Sequence, residues 1–67
     1  MQISVRNKLS GIVKEVKMGA VMAEVVVQVG ENQIVAVITK DAAEELALKA
    51  GDNVTALVKS TSVIIQK

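Results

Sequence analysis

Two short polar segments, one near each terminus, contain the residues of this chain best suited to hold an anion. Residues 59–62 read Lys-Ser-Thr-Ser, and Ser4, Arg6 and Asn7 lie near the other end. Hydroxyls and free backbone N–H groups donate hydrogen bonds without adding net charge, while Lys59 and Arg6 each add one positive charge. A tetrahedral dianion requires many donors and no acceptors. Together, the two segments therefore predict an oxyanion site.

Each segment also has a plain structural explanation, and on local grounds that explanation is favoured. Serine and threonine are common in turns, so residues 59–62 fit a solvated turn between two strands. Arg6 fits a strand edge where it pairs with a carboxylate such as Glu24. In a strand, Ser4 and Arg6 share one face while Asn7 points to the other, so their spacing adds little.

The composition indicates a small protein that associates with itself. The chain has 67 residues, of which 51% are hydrophobic. That length allows one domain, spanning residues 1–67, and a domain this small buries only about 60% of its unfolded surface. The remaining apolar surface predicts an oligomer larger than a dimer.

Several residue types are missing, which argues against catalysis and nucleic-acid binding. The chain has no Cys, His or aromatic residue, and its formal net charge is +1. It therefore lacks the usual nucleophile, proton-transfer group and base-stacking platforms. The clustered acids Asp41, Glu44 and Glu45 are explained by a helix start rather than a metal site. No signal peptide or membrane-spanning stretch is visible, so we expect a soluble cytoplasmic protein.

Hydrophobic periodicity predicts an all-β fold with one short helix. Residues 21–29 alternate in period two, and residues 33–39 form a similar strand after a turn at 30–32. A longer strand is expected from Ile3 to Val16, with a bulge or bend at Ser10-Gly11 and a turn at 18–20. A helix of about two turns is expected to begin with Asp41 as N-cap and to stop at Gly51. Two further strands, NVTALVKS and TSVIIQ, complete a five-stranded Greek-key barrel of the OB type, with the helix between strands 3 and 4.

Three motifs in order resemble the molbindins, a family of small molybdate-binding proteins. ISVRNKLSGIV resembles their opening, KMGAVMAEVVV their next block, and EELALKAGDNVTALVKSTSVII their last. The resemblance covers nearly the whole chain. The departures are Val5 where Ala is common, Ala47 where Gly is common, and Ser62 where Asp often stands.

The resemblance implies a cytoplasmic molybdate- or tungstate-binding protein assembled as a hexamer of three dimers, with a storage or buffering role. It also implies that anions lie at subunit interfaces, held by hydroxyls and backbone N–H groups of two chains. A second kind of site, near the threefold axis, is implied without assigned residues. The positions that match the family's site are Ser4, Val5, Arg6, Ala20, Val21, Lys59 and Ser60.

Other functions remain open on the residues alone. An OB-type nucleic-acid module has the same fold but relies on basic faces and aromatic stacking. A DNA-binding regulator built on a swapped hairpin would need more basic arms than Arg6 and Lys8. A plain oligomerisation domain that binds no ligand is the third alternative.

Overall fold

The computed structural model describes residues 5–67, and its architecture is a four-stranded antiparallel sheet with one short helix. The sheet order is β3-β2-β1-β4, so the first three strands form a meander and β4 returns to pair with β1. The elements are β1 (Asn7–Met18), β2 (Met22–Val29), β3 (Asn32–Thr39), helix α1 (Lys40–Glu45), β4 (Asn53–Val58) and a 3₁₀ turn (Ser60–Ser62).

The core lies mainly on one face of β1 and β2, as the alternating pattern predicts, although Val26 on the other face of β2 is also buried. Val13, Val25 and Val27 form a buried cluster. Ile34, Ala36 and Ile38 of β3 are half-buried, while the residues between them are exposed. Because successive side chains in a strand point to opposite faces, the apolar set of each strand lies together on the covered side.

The hairpin between β2 and β3 confirms the predicted turn. Val29 pairs with Asn32, which leaves only Gly30 and Glu31 in the loop. Gly30 has a φ of 59°, a left-handed conformation that glycine adopts at little cost. Glycine therefore fixes the register of this hairpin.

Strand β1 begins and bends at positions other than those expected. It starts at Asn7, and its register shifts between Val13 and Glu15, which makes Lys14 the extra residue of the bulge. The expected bulge at Ser10-Gly11 is therefore wrong. Gly11 instead allows a close approach, since a Cβ there would lie 2.6 Å from the carbonyl oxygen of Gln28. Glycine is needed at that position for space rather than for an irregular backbone.

Helix α1 is shorter than expected and is capped by a different residue. Thr39, not Asp41, is the N-cap, and its Oγ1 accepts a hydrogen bond of 3.1 Å from the backbone N–H of Ala42. Met22 pairs with Thr39, so β3 remains in the ladder up to the residue before the helix. Asp41 therefore lies in the first turn, where its charge faces the positive end of the helix dipole.

The carboxyl end of α1 is closed by a Schellman motif. The N–H of Ala47 donates to the carbonyl of Glu44 at 3.0 Å, and the N–H of Leu48 donates to that of Ala43 at 3.2 Å. This pattern requires a left-handed residue after the C-cap, and Ala47 has a φ of 50°. The helix thus ends at Glu45, well before Gly51.

The expected fifth strand is absent from the sheet, and the sheet is not closed into a barrel. β4 ends at Val58, and the 3₁₀ turn at residues 60–62 redirects the chain. Within the described part of the chain, residues 63–67 pair with no strand. A strand is defined by its ladder of hydrogen bonds. A high β-propensity alone therefore does not make residues 63–67 a strand. In residues 5–67 no helix has the length and apolar character needed to cross a membrane.

Candidate functional site

The pairing of β1 with β4 brings the two polar segments to the same end of the sheet. Asn7 pairs with Val58, and its side-chain Nδ2 donates to the Val58 carbonyl oxygen at 3.1 Å. Residues 5–6 therefore enter β1 beside the point where residues 59–60 leave β4. Two segments separated by most of the sequence thus become neighbours within one chain.

The segment after β4 presents unused donors. Lys59 precedes the 3₁₀ turn, in which the N–H of Ser62 donates to the Lys59 carbonyl at 2.9 Å. The backbone N–H groups of Ser60 and Thr61 have no backbone acceptor among residues 5–67. Residues 59–62 are all exposed, so their hydroxyls and the ammonium group face solvent. The segment is a turn, as the plain explanation predicted, but within the described residues no second strand follows it. It is also rich in donors.

The segment before β1 contributes the guanidinium group. Arg6 is exposed and Val5 is half-buried, whereas Ser4 lies outside the described residues. The interpretation of Arg6 as an ion-pair partner of Glu24 is wrong, because Glu24 pairs with Lys17 near the other end of β1. The ion pair found within the described residues is Lys40 Nζ to Glu44 Oε1 at 3.8 Å, so Arg6 has no carboxylate partner there.

The turn between β1 and β2 lies far from both segments in the same chain. β1 has 12 residues, so at about 3.3 Å per residue the turn lies on the order of 35–40 Å along the strand from Asn7. In this turn the Gly19 N–H donates to the Met22 carbonyl at 2.8 Å, and the Val21 carbonyl accepts from the Lys40 N–H at 2.7 Å. The N–H groups of Ala20 and Val21 have no backbone acceptor in residues 5–67. Both residues are exposed. Within one described chain, Ala20 and Val21 therefore lie apart from Arg6 and Lys59.

Electrostatically, the end of the sheet formed by residues 5–6 and 59–62 attracts anions. It has two cationic side chains, and neither segment contains an acidic residue. Hydrogen bonds with an ionised partner are about twice as strong as neutral ones. The Thr61 N–H is a donor that the sequence did not single out. It has no backbone acceptor because residues 60–62 form a 3₁₀ turn, and no residue pattern in the segment specifies that turn.

The fold and the site define a small β-sheet domain with a donor-rich end, and residues 5–6 and 59–62 of that end include no acid. Comparison with protein families makes this specific: the TOBE domain model matches residues 3–65. The chain belongs to the TOBE domain family and, within it, to the molbindin-like molybdenum-pterin-binding proteins.

Relatives and solved structures agree with this assignment. Molybdenum-pterin-binding protein 2 of Clostridium pasteurianum is 50% identical over 66 residues, covering 97% of each chain. A molybdate-binding protein from Sporomusa ovata has a TM-score of 0.95 and 48% identity, covering all of both chains. ModG, described as a cytoplasmic molybdate-binding protein and solved with molybdate bound, has a TM-score of 0.88 and 40% identity, covering 96% of this chain and 46% of its own. These relatives are binding proteins, which confirms the prediction that the chain is not an enzyme.

Proposed function

We propose that this chain binds molybdate or tungstate at interfaces between copies of itself. The observation that supports this most directly is the pairing of Asn7 with Val58, which places the donors of both termini side by side. Close relatives are named for binding molybdate or a molybdenum pterin, and one was solved with molybdate bound. The anion is the ligand, and no other cofactor is part of the proposal.

The proposed site combines two chains because one chain supplies too little of the shell. Arg6, Lys59 and Ser60 are exposed and form one side, with Ser4 and the Val5 backbone as their neighbours in sequence. The unused N–H groups of Ala20 and Val21 of a second copy would form the other side. An interface excludes water, and each donor is then worth more than on an open surface.

The chemistry of such a site selects among anions. Backbone N–H groups and cationic side chains only donate, so a shell made mainly of them disfavours hydrogenphosphate, whose proton needs an acceptor. The hydroxyls of Ser4 and Ser60 are the groups of the proposed shell that could accept that proton. Sulfate has the same charge and shape as molybdate but is smaller, so only the size of the cavity distinguishes them. Tungstate nearly matches molybdate in size, and we expect no useful discrimination between the two.

The assembly in this proposal is a hexamer built as a trimer of dimers. Many large apolar side chains are exposed in the single chain, Val21 at 70% and Leu46 at 66% among them. Patches of this kind mark interaction surfaces. A ligand bound between chains stabilises the assembly, because it binds the oligomer and not the separated chains. A storage or buffering role in the cytoplasm is part of the same proposal.

Calorimetric titration with molybdate tests the site directly. Ser60→Ala should weaken binding by about 1–3 kcal/mol, because one donor to a charged ligand is lost. Lys59→Ala should cost at least as much and should also reduce the dependence of binding on salt, because it removes a full charge. Each titration is run after confirming that the variant keeps the mass of the parent oligomer.

Matched controls separate the site from general effects. Ser10→Ala removes an exposed hydroxyl from the middle of β1, and Lys49→Ala removes an exposed charge from the loop after α1. Neither should change the affinity for molybdate by more than about 0.5 kcal/mol. The site is wrong if Ser60→Ala and Lys59→Ala bind like the parent, or if sulfate competes equally with molybdate. An intact oligomer that binds neither molybdate nor tungstate would identify a ligand-free assembly domain.

A further inference from the structure

Strand β1 carries a third cationic side chain, Lys8, close to the proposed site but not among its residues. Lys8 pairs with Leu57 of β4, and Lys59 follows two residues after Leu57 in an extended conformation, with φ −64° and ψ 138°. Side chains in this diagonal relation across an antiparallel pair lie on the same face, about 7–8 Å apart. Lys8 and Lys59 therefore extend from neighbouring points on one face of the sheet.

The exposure of successive residues shows which face this is. From Val5 to Ser10, half-buried and exposed residues alternate, and Arg6 and Lys8 are both exposed. The same alternation along β4 leaves Leu57 and Lys59 exposed. Because alternate residues of a strand point to the same side, Arg6, Lys8 and Lys59 lie together on the outer face, away from the core.

Charge is unevenly distributed in a chain that is almost neutral as a whole. The formal net charge is +1, yet residues 5–13 and 53–62 include three of the eight cationic residues and none of the seven acidic ones. These two segments contain the paired parts of β1 and β4. Like charges that share a face of a sheet repel one another, so this end of the sheet holds an uncompensated positive charge.

Other lysines of the sheet and the helix have acidic neighbours, which Lys8 lacks. Lys17 stands opposite Glu24 in the ladder between β1 and β2, and Lys40 forms an ion pair with Glu44 at 3.8 Å. Lys8 forms no ion pair with any residue of 5–67. Its charge is therefore available to an anion that approaches the same face.

We propose that Lys8 is a capture residue, which attracts the oxyanion to the site through its charge and need not touch the bound ligand. A charge 7–8 Å from a dianion lies within the Debye length, which is about 10 Å in 0.1 M salt. Clustered charge of one sign raises the local concentration of the opposite ion and the rate at which it arrives. The inference rests on the proposed function, because it concerns the same ligand and the same end of the sheet.

Calorimetric titration of charge variants with molybdate tests the capture role. Lys8→Met removes the charge and keeps an unbranched side chain. In chloride buffer of about 10 mM ionic strength it should weaken binding about 3–10-fold, the Coulomb effect of one charge on a dianion 7–8 Å away in water. Lys8→Arg keeps the charge and should bind molybdate within about twofold of the parent.

The matched control is Lys14→Met. Lys14 is an exposed lysine of the same strand, six residues further on and on the order of 20 Å away. Its loss should change the affinity by less than about twofold. In about 1 M chloride the Debye length falls to about 3 Å, and Lys8→Met should then bind like the parent. A folding or packing defect would not disappear with salt in this way.

Each variant is first shown by analytical ultracentrifugation to keep the mass of the parent oligomer. Lys8→Gln repeats the measurement with a polar side chain, so a defect peculiar to methionine does not decide the result. Capture is overturned if the Lys8→Met and Lys8→Gln proteins bind like the Lys14→Met protein at low salt. It is also overturned if Lys8→Arg binds as weakly as Lys8→Met, or if the loss persists undiminished in 1 M chloride.

The parent chain separates this result from the proposed function. If the parent binds molybdate and the Lys8 variants bind equally well, the capture role is removed and the anion site stands. If the intact parent oligomer binds neither molybdate nor tungstate, the proposed function is removed, and the capture role with it.

Discussion

The left-handed residue that ends helix α1 is an alanine, and replacing it with glycine should stabilise the protein. Ala47 has a φ of 50° and is the one described non-glycine residue with a positive φ. Its Cβ is strained there, which costs about 1–2 kcal/mol. Glycine removes that strain while the Schellman hydrogen bonds from Ala47 and Leu48 remain possible.

The size of the gain follows from two opposing terms. Relief of strain contributes about 1–2 kcal/mol, and the greater freedom of glycine in the unfolded chain takes back roughly 0.5–1 kcal/mol. Ala47→Gly should therefore change the free energy of unfolding by about 0 to +1.5 kcal/mol, with a middle value of roughly +0.75 kcal/mol. Ala47 is one of the departures from the molbindin resemblance, in which Gly is common at this position, and its positive φ is the conformation that glycine adopts at least cost.

Denaturant-induced unfolding measures the change, at one protein concentration and without oxyanion, because assembly and ligand both alter apparent stability. Ala50→Gly is the matched control: Ala50 is also exposed and lies in the same loop, but its φ is not positive. The control should lose about 0.4–1 kcal/mol through the unfolded state alone. If Ala47→Gly loses stability to the same extent as Ala50→Gly, the strain argued here does not exist.

Two further stability predictions follow from the same structure. Thr39→Ala should destabilise the protein by about 1 kcal/mol in thermal unfolding, because the N-cap hydrogen bond from Ala42 is lost. Thr39→Ser keeps the hydroxyl and should keep most of the parent's stability. A larger loss from Asp41→Ala than from Thr39→Ala would show that Asp41 is the cap. Gly11→Ala should cost about 1–3 kcal/mol or more, because its Cβ would lie 2.6 Å from a backbone oxygen. A Cβ at Gly30 would meet no atom within 4 Å, so Gly30→Ala should cost only the strain of the left-handed conformation, about 1–2 kcal/mol. If Gly11→Ala refolds with the same yield and stability as the parent, the close approach at Gly11 is contradicted.

Local patterns in the sequence were enough to predict β2, β3 and the hairpin between them. The alternation of residues 21–29 and the turn at Gly30 each depend on neighbours within a few residues. The two donor segments were also visible as residue types. Their function could be named only because three ordered motifs resemble a known family.

Positions that depend on packing were predicted less well. Thr39 and Asp41 are both good caps, and the choice between them depends on how far β3 stays paired with β2. The bulge lies at Lys14, because the register of β1 with β2 shifts there. The bulge was predicted at Ser10-Gly11 only because glycine is common at bulges. Register is a property of two strands, and a single segment does not contain it.

The tertiary structure decided where the two ends of the chain meet. The pairing of β1 with β4 joins residues that lie 41 to 51 positions apart in sequence, from Ile12 with Asn53 to Asn7 with Val58. Sequence spacing does not encode such a contact, because many antiparallel registers satisfy the same local alternation. The fifth strand was predicted from the composition of residues 63–67, but these residues find no partner within residues 5–67. Hydrophobic pattern specifies which segments can form strands, and only long-range pairing specifies which ones do.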